Sequence, residues 1–160
     1  MPNNKGVSEL SLPELTSVAG NFMYDNEAIA KLFIPKLRNV GRNFLQANEW
    51  LVELSAPSLI SVQDYFLNSN ELLESLYAPK LKKTENCFLF ANRNMRSISL
   101  PELVETGRGF MHENRILEKM HAPKLKITGE KFLENHPWTM LQASRMGIND
   151  HFQIWRDKIR

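Results

Sequence analysis

The stretch from Leu51 to Leu72, LVELSAPSLISVQDYFLNSNEL, contains one complete unit of a pattern that recurs every 22 residues along the chain. A proline marks the period, and a leucine follows each proline two positions later. The prolines are Pro13, Pro35, Pro57, Pro79, Pro101 and Pro123. Such regular spacing identifies a repeat protein, in which each unit buries its apolar side chains against the next one.

Two other positions of the unit are nearly invariant. A phenylalanine recurs at Phe22, Phe44, Phe66, Phe88, Phe110 and Phe132, and an asparagine recurs at Asn26, Asn48, Asn70, Asn92 and Asn114. We expect the phenylalanines to lie in the core. Because a side-chain amide both donates and accepts hydrogen bonds, we expect the asparagines to bond to the backbone of their turns.

The unit also shows where its strands should lie. Inward and outward side chains alternate at Leu54, Ser55 and Ala56, which predicts a short strand that the following proline ends. A second extended piece is expected from Leu37 to Val40, and the segment from Arg42 to Asn48 fits one or two helical turns. Equivalent strands of successive turns should then be parallel neighbours about 4.8 Å apart.

This unit resembles a leucine-rich repeat of the BspA-like kind, which is common in surface and host-interacting proteins of bacteria and some protozoa. The resemblance covers residues 10–136 and is carried by Leu51, Leu54, Ala56 and Leu59 with Val62 and Phe66. It implies an α/β repeat: a right-handed leucine-rich-repeat solenoid with a parallel β-sheet on its concave face and short helices or turns on the other side. Such solenoids mostly bind proteins. The 22-residue period and the Pro-x-Leu motif depart from many repeats of this kind.

We expect residues 1–160 to form a single domain, with repeats over about 7–136 and a C-terminal cap over about 137–160. Asn149 or Asp150 can begin a helix at this end of the chain. The apolar side chains that would share one face of the helix are Phe152, Trp155 and Ile159. The sequence therefore predicts a C-terminal capping helix that covers the last turn.

No comparable cap precedes Val7, so the first turn should present an open strand edge. Two interpretations stay open. The chain is either a piece of a longer repeat array, or its uncapped N-terminal end pairs with something, which includes a second copy in a homodimer.

Composition excludes some classes of function. The net charge of +2 falls well short of the concentrated positive charge of an obligate nucleic-acid binder. The sequence has no apolar run of the length of a signal peptide or membrane span, which predicts a cytoplasmic protein or one secreted by a leaderless route. Cys87 is the only cysteine, so no disulfide within the chain is possible.

Partner-binding residues should lie at the variable, outward positions of the repeat. The outward strand position is occupied in turn by Ser11, Phe33, Ser55, Tyr77, Ser99 and His121. Exposed aromatic side chains are frequent binding anchors, so Phe33, Tyr77 and His121 are candidates. The alternative is that each ring only packs over the neighbouring serines.

A basic set follows the prolines: Lys36, Arg38, Lys80, Lys82, Lys83, Lys124 and Lys126. These residues could meet an acidic protein, an anionic lipid surface or nucleic acid. The alternative is a solvated face that keeps the protein soluble.

Catalysis has little support in the sequence. Cys87 has no basic residue nearby in the repeat pattern, and the histidines His112, His121, His136 and His151 are scattered over different turns. Neither zinc-ligand spacing nor a glycine-rich phosphate loop is present, so we expect no metal, no cofactor and no enzyme activity. The sequence favours a protein–protein recognition module that binds through the concave face, and the resemblance suggests a bacterial effector or surface fragment. The alternative is a structural or targeting fragment of a larger protein whose catalytic domain is absent.

Overall fold

The proline of each unit lies in a tight turn between two strands. In the computed structural model, which describes residues 8–135, the amide of Leu59 donates to the carbonyl of Ala56 at 3.1 Å. Pro57 is therefore the second residue of a β-turn, a position that suits the fixed φ of proline and requires no N–H. The same bond forms in the other units, from Leu15, Leu37, Leu81, Leu103 and Leu125. The predicted place of proline after the strand is confirmed.

Each turn contributes a three-residue strand before the proline and, in most turns, a two-residue strand after it. In chain order, the strands in residues 8–135 are β1 (Glu9–Ser11), β2 (Ser17–Val18), β3 (Lys31–Phe33), β4 (Asn39–Val40), β5 (Glu53–Ser55), β6 (Ser61–Val62), β7 (Ser75–Tyr77), β8 (Lys83–Thr84), β9 (Ser97–Ser99), β10 (Glu105–Thr106) and β11 (Lys119–His121). All of them pair in parallel with the strand 22 residues away.

These strands form three sheets along two sides of the solenoid. Sheet 1 has the order β1-β3-β5-β7, and sheet 2 has the order β10-β8-β6-β4-β2 on the other side of the proline turns. The pair β9 and β11 forms a separate two-stranded sheet, which we call sheet 3. Leu54 is buried in β5, and β4 occupies the second predicted extended piece, so both strand predictions are confirmed.

The third side of each turn differs from the prediction. The segment from Arg42 to Asn48 was expected to be helical, but no helix occurs in residues 8–135. Instead φ is positive at every second residue, with 56° at Asn43, 53° at Leu45 and 58° at Ala47, and an α-helix cannot accommodate this alternation. The helix prediction for this segment was therefore wrong.

Hydrogen bonds between turns explain this conformation. The amide of Asn43 donates to the carbonyl of Asp64 in the following turn, and that of Leu45 donates to Phe22 in the preceding turn, both at 2.9 Å. A helix would direct the same amides to carbonyls four residues earlier in the same turn. The segment thus bonds to its neighbours in the stack instead of to itself.

The core runs along the axis of the solenoid. Phe44 and Phe66 stack with their ring centroids 5.3 Å apart and their planes at 4°. The stack continues in both directions through Phe22, Phe88, Phe110 and Phe132. The predicted C-terminal capping helix, with Phe152, Trp155 and Ile159, lies outside the described residues. Within the described part of the chain, no helix could cross a membrane.

Candidate recognition surface on sheet 1

Two of the three predicted aromatic anchors lie together on sheet 1. Phe33 in β3 and Tyr77 in β7 both pair with Ser55 of β5, which lies between them. Their exposed fractions are 45% and 59%, since the serines beside them are too small to cover the rings. Two strand spacings separate the residues by about 9.6 Å. The two rings therefore stand on one face of one sheet.

His121 lies apart from these two aromatic residues. It ends β11 and pairs with Ser99 of β9, so it belongs to sheet 3. Its side chain is exposed, as predicted for an outward position. Any surface that includes all three residues must therefore extend across the interruption between β7 and β9.

Charged side chains accompany Phe33 on the same face. Lys31 Nζ lies between two glutamates, 3.5 Å from Glu9 and 3.9 Å from Glu53. These exposed pairs contribute little to stability because water screens them. Together with Phe33 and Ser55 they line a shallow hollow of about 590 Å³. The surface around Phe33 thus offers a ring, a hydroxyl and charges of both signs.

Three of the predicted basic residues are paired with glutamates. Lys36 Nζ lies 2.8 Å from Glu14, and Lys124 Nζ lies 2.7 Å from Glu102. Lys83 lies between Glu105 at 3.2 Å and Glu85 at 3.3 Å. Lys83 donates hydrogen bonds to these two carboxylates, which raise the pKa of the lysine, so it stays charged at neutral pH. The glutamates offset much of the positive charge at these three lysines.

The other four residues of the predicted basic set make no ion pair with any residue between 8 and 135. Arg38 and Lys82 are exposed at equivalent positions, directly before β4 and before β8. Lys126 repeats this position two turns later, and Lys80 lies in the proline turn that precedes Lys82. Within the predicted basic set, the positive charge that no carboxylate offsets therefore lies at Arg38, Lys80, Lys82 and Lys126, beside sheet 2.

Cys87 does not have the surroundings of a nucleophile. Its side chain is partly buried, and burial together with the nearby Asp64 raises the pKa of the thiol, although Arg108 acts in the opposite direction. A raised pKa keeps the thiol protonated and unreactive at neutral pH.

Of the two histidines in residues 8–135, His112 has more polar neighbours than His121. Its Nε2 lies 3.4 Å from a carboxylate oxygen of Glu134, and its ring packs edge-on against Phe90 at 5.2 Å. No group of three or more potential metal ligands lies together in the described part of the chain.

The sequence interpretation missed a second exposed aromatic group. Tyr24 and Tyr65 are 51% and 41% exposed on the third side of the solenoid, away from sheet 1. They occupy variable positions of the repeat, as Phe33 and Tyr77 do. Extending the search for outward aromatics from the strands to the whole unit would have found them.

Comparisons with known proteins support the fold. No protein-family model matches this chain, and its sequence matches no curated protein. Its structure is similar to the crystal structure of the T. pallidum leucine-rich repeat protein, with a TM-score of 0.63 and 12% sequence identity. The similarity covers 89% of this chain and 84% of that chain. At this identity it shows the fold alone: the parallel-strand turns form a solenoid of the leucine-rich-repeat type.

Proposed function

We propose that this protein is a non-enzymatic recognition module that binds a protein partner through the outward face of sheet 1. The observation that carries the proposal is the pair of exposed rings of Phe33 and Tyr77 on that face. Parallel sheets are normally covered on both faces, so exposed aromatic side chains on one of them favour a binding role.

The two rings could supply a useful part of the binding free energy. An aromatic side chain buries about 150–250 Å² when fully covered, and each of these rings has roughly half of its surface still exposed. At about 25 cal/mol per Å², covering the remainder contributes about 2 kcal/mol for each ring, before the entropic cost of association. Phe33 and Tyr77 are thus sufficient to act as central anchors.

Charged residues would orient the partner. Arg38, Lys80 and Lys82 are not neutralised by any glutamate within residues 8–135, so they favour an acidic patch on the partner. Four further residues complete the proposed contact set at its edges, where each contributes less binding free energy than a central ring. They are His121, Lys36, Lys83 and Lys124.

The BspA-like resemblance of the repeat extends the proposal to a bacterial effector or surface fragment. The alternative is that the chain is a structural or targeting part of a larger protein. In a structural part Phe33 and Tyr77 have no partner, which a capture experiment tests, whereas the reading frame on either side of the gene decides the targeting role.

The test compares the proteins that are captured from bacterial and host lysates by three immobilised forms of the chain: the unchanged chain, the double variant F33S/Y77S, and the control W50S. Trp50 is 49% exposed but lies outside the strands, so W50S removes an exposed ring from another surface. We expect a partner that the unchanged chain and W50S retain and that F33S/Y77S loses.

Both variants should keep the melting temperature of the unchanged chain, because neither removes a buried side chain. Equal retention by all three proteins would show that sheet 1 is not the contact. Retention of no partner would favour the structural alternative.

A further inference from the structure

A second hollow lies on the third side of the solenoid, away from sheet 1. Its volume is about 410 Å³. We call this hollow the tyrosine hollow. It is lined by the side chains of Asn21, Tyr24, Asn43, Gln46 and Tyr65. All five are uncharged, and the surface combines phenol rings with side-chain amides.

The repeat explains how these residues come together. Asn21, Asn43 and Tyr65 occupy one position in three successive turns, with φ of 60°, 56° and 60°. Tyr24 and Gln46 occupy another position, three residues further on, in the first two of those turns. The rings of Tyr24 and Tyr65 thus lie at opposite ends of the hollow, two turns or about 9.6 Å apart along the axis.

The backbone under the hollow is held in place by bonds between turns. The amides of Asn21, Asn43 and Tyr65 each donate to a carbonyl of the following turn, at 2.8, 2.9 and 2.9 Å. The stacked core phenylalanines Phe22, Phe44 and Phe66 directly follow these three residues in sequence. A surface ordered in advance loses little entropy when a ligand binds.

A hydrogen bond between the side-chain amides of Asn21 and Asn43 defines their orientation. Asn43 Nδ2 donates to Asn21 Oδ1 at 2.7 Å, which leaves the Oδ1 of Asn43 and the Nδ2 of Asn21 for a ligand. The side-chain amide of Gln46 and the hydroxyls of Tyr24 and Tyr65 make no hydrogen bond to another residue in the range 8–135. The hollow therefore presents uncharged donors and acceptors between two rings.

We propose that the tyrosine hollow is a carbohydrate-binding site that accepts one pyranose ring. The C–H face of a pyranose packs on the negatively polarised face of an aromatic ring, and its hydroxyls both donate and accept, as amides and phenols do. The volume lies within the range of small-ligand sites. The uncharged lining disfavours phosphate or carboxylate ligands, and the lack of aliphatic side chains disfavours a lipid.

A protein contact fits the tyrosine hollow less well. Tyrosine and asparagine are also frequent in protein-binding surfaces. A stable protein interface, however, buries about 800 Å² on each partner, far more than five side chains around a concave hollow can supply. The site is also separate from sheet 1, so it does not depend on the function proposed above.

The test is an NMR titration of the ¹⁵N-labelled chain with four probes: the methyl glycosides of β-glucose, β-galactose, α-mannose and β-N-acetylglucosamine. We expect saturable shifts of the signals of the five lining residues with at least one probe. Y24A, which removes a ring, should weaken that binding about tenfold. Q46A, which removes an amide and keeps both rings, should weaken it less.

The control is W50A, which removes an exposed ring that belongs to neither proposed site and should leave glycoside binding unchanged. If Y24A lowers the melting temperature, Q46A and Y65A provide the same comparison. Saturable shifts with none of the four glycosides, shifts centred on other residues, or full binding by Y24A, Y65A and Q46A would each overturn the proposal. If the unchanged chain binds no glycoside, and a protein that it captures from a lysate is not captured by Y24A, the tyrosine hollow is a protein contact instead.

Discussion

The side chain of Asn70 reaches into the preceding turn of the solenoid, where its Nδ2 donates to the carbonyl of Leu45 at 2.8 Å. The same Nδ2 lies 3.3 Å from the carbonyl of Asn68, and Oδ1 accepts the amide of Asn48 at 2.9 Å. Leu45 has a positive φ, so its segment has no helical bonds of its own. The buried asparagine supplies bonds that this segment lacks, which confirms the predicted backbone role of the repeated asparagine.

Replacing Asn70 by leucine should destabilise the fold strongly. The variant N70L leaves the carbonyl of Leu45 and the amide of Asn48 without these bonds in a buried site, and each orphaned group costs about 1–3 kcal/mol. We expect the free energy of unfolding in urea to fall by about 3 kcal/mol. The control N26A changes a less buried asparagine, whose side chain accepts from the amide of Ala28, and should cost less. Equal losses in the two variants would contradict the role assigned to the buried asparagines.

Replacing Thr84 by valine should stabilise the fold. Thr84 is fully buried, and its hydroxyl has no hydrogen-bond partner among the described residues. Valine has nearly the same shape and already occupies this position as Val40 and Val62 in other turns. Since the variant removes an unpaired polar group, we expect a gain of about 1 kcal/mol in the free energy of unfolding. The exposed control T16V should change it very little, and a loss of stability in T84V would show that the hydroxyl is bonded in solution.

Replacing Gly107 by alanine should be destabilising. A Cβ at this position would lie 2.6 Å from the backbone carbon of Glu85 in the preceding turn, closer than atoms can approach. The turns would have to separate locally, which costs about 1–3 kcal/mol. At Gly20 the nearest atom to an added Cβ, the carbonyl oxygen of Arg42, is 3.3 Å away, so G20A should lower the melting temperature less. The same melting temperature for G107A and the unchanged chain would show that the turns are not this close.

The pKa of Glu113 should depend on Arg115. Arg115 donates to the Glu113 carboxylate at 2.8 and 2.9 Å, and with a further bond from Asn135 it lowers the pKa of this glutamate. A lowered folded-state pKa stabilises the fold above the ordinary glutamate pKa, and this contribution is lost as the pH falls through the folded-state value.

The variant R115A should raise the pKa of Glu113, which a carboxyl NMR titration measures directly. The difference in melting temperature between R115A and the unchanged chain should be present at neutral pH and shrink in acid. R38A removes an arginine with no carboxylate partner between residues 8 and 135 and should leave the Glu113 pKa unchanged. An unchanged Glu113 pKa in R115A would contradict the assigned cause.

Much of the fold follows from rules that act within a few residues and repeat in register. The alternation around Leu54 predicts β5, and the missing N–H of Pro57 predicts the end of the strand. Because the same residues return every 22 positions, side chains of one kind must stack along the axis, as Phe44 and Phe66 do. The exposure of Phe33 and Tyr77 follows from the same alternation.

The rest depends on contacts between turns, which local patterns do not contain. The apolar spacing of Phe44, Leu45 and Leu51 is compatible with a helix, yet bonds to the neighbouring turns give Leu45 a positive φ instead. Which lysines are neutralised depends on whether a glutamate of another turn lies within reach.

The sequence by itself determined the period, the strands, the proline turns and the identity of the core, because these depend on backbone sterics and alternation within one unit. The tertiary structure alone decided the form of the third side, the interruption between β7 and β9, and the meeting of Tyr24, Gln46 and Tyr65 in one hollow. The physical reason is that the backbone amides of the third side can bond either within a turn or between turns. Only the stacked neighbours determine which bonds form.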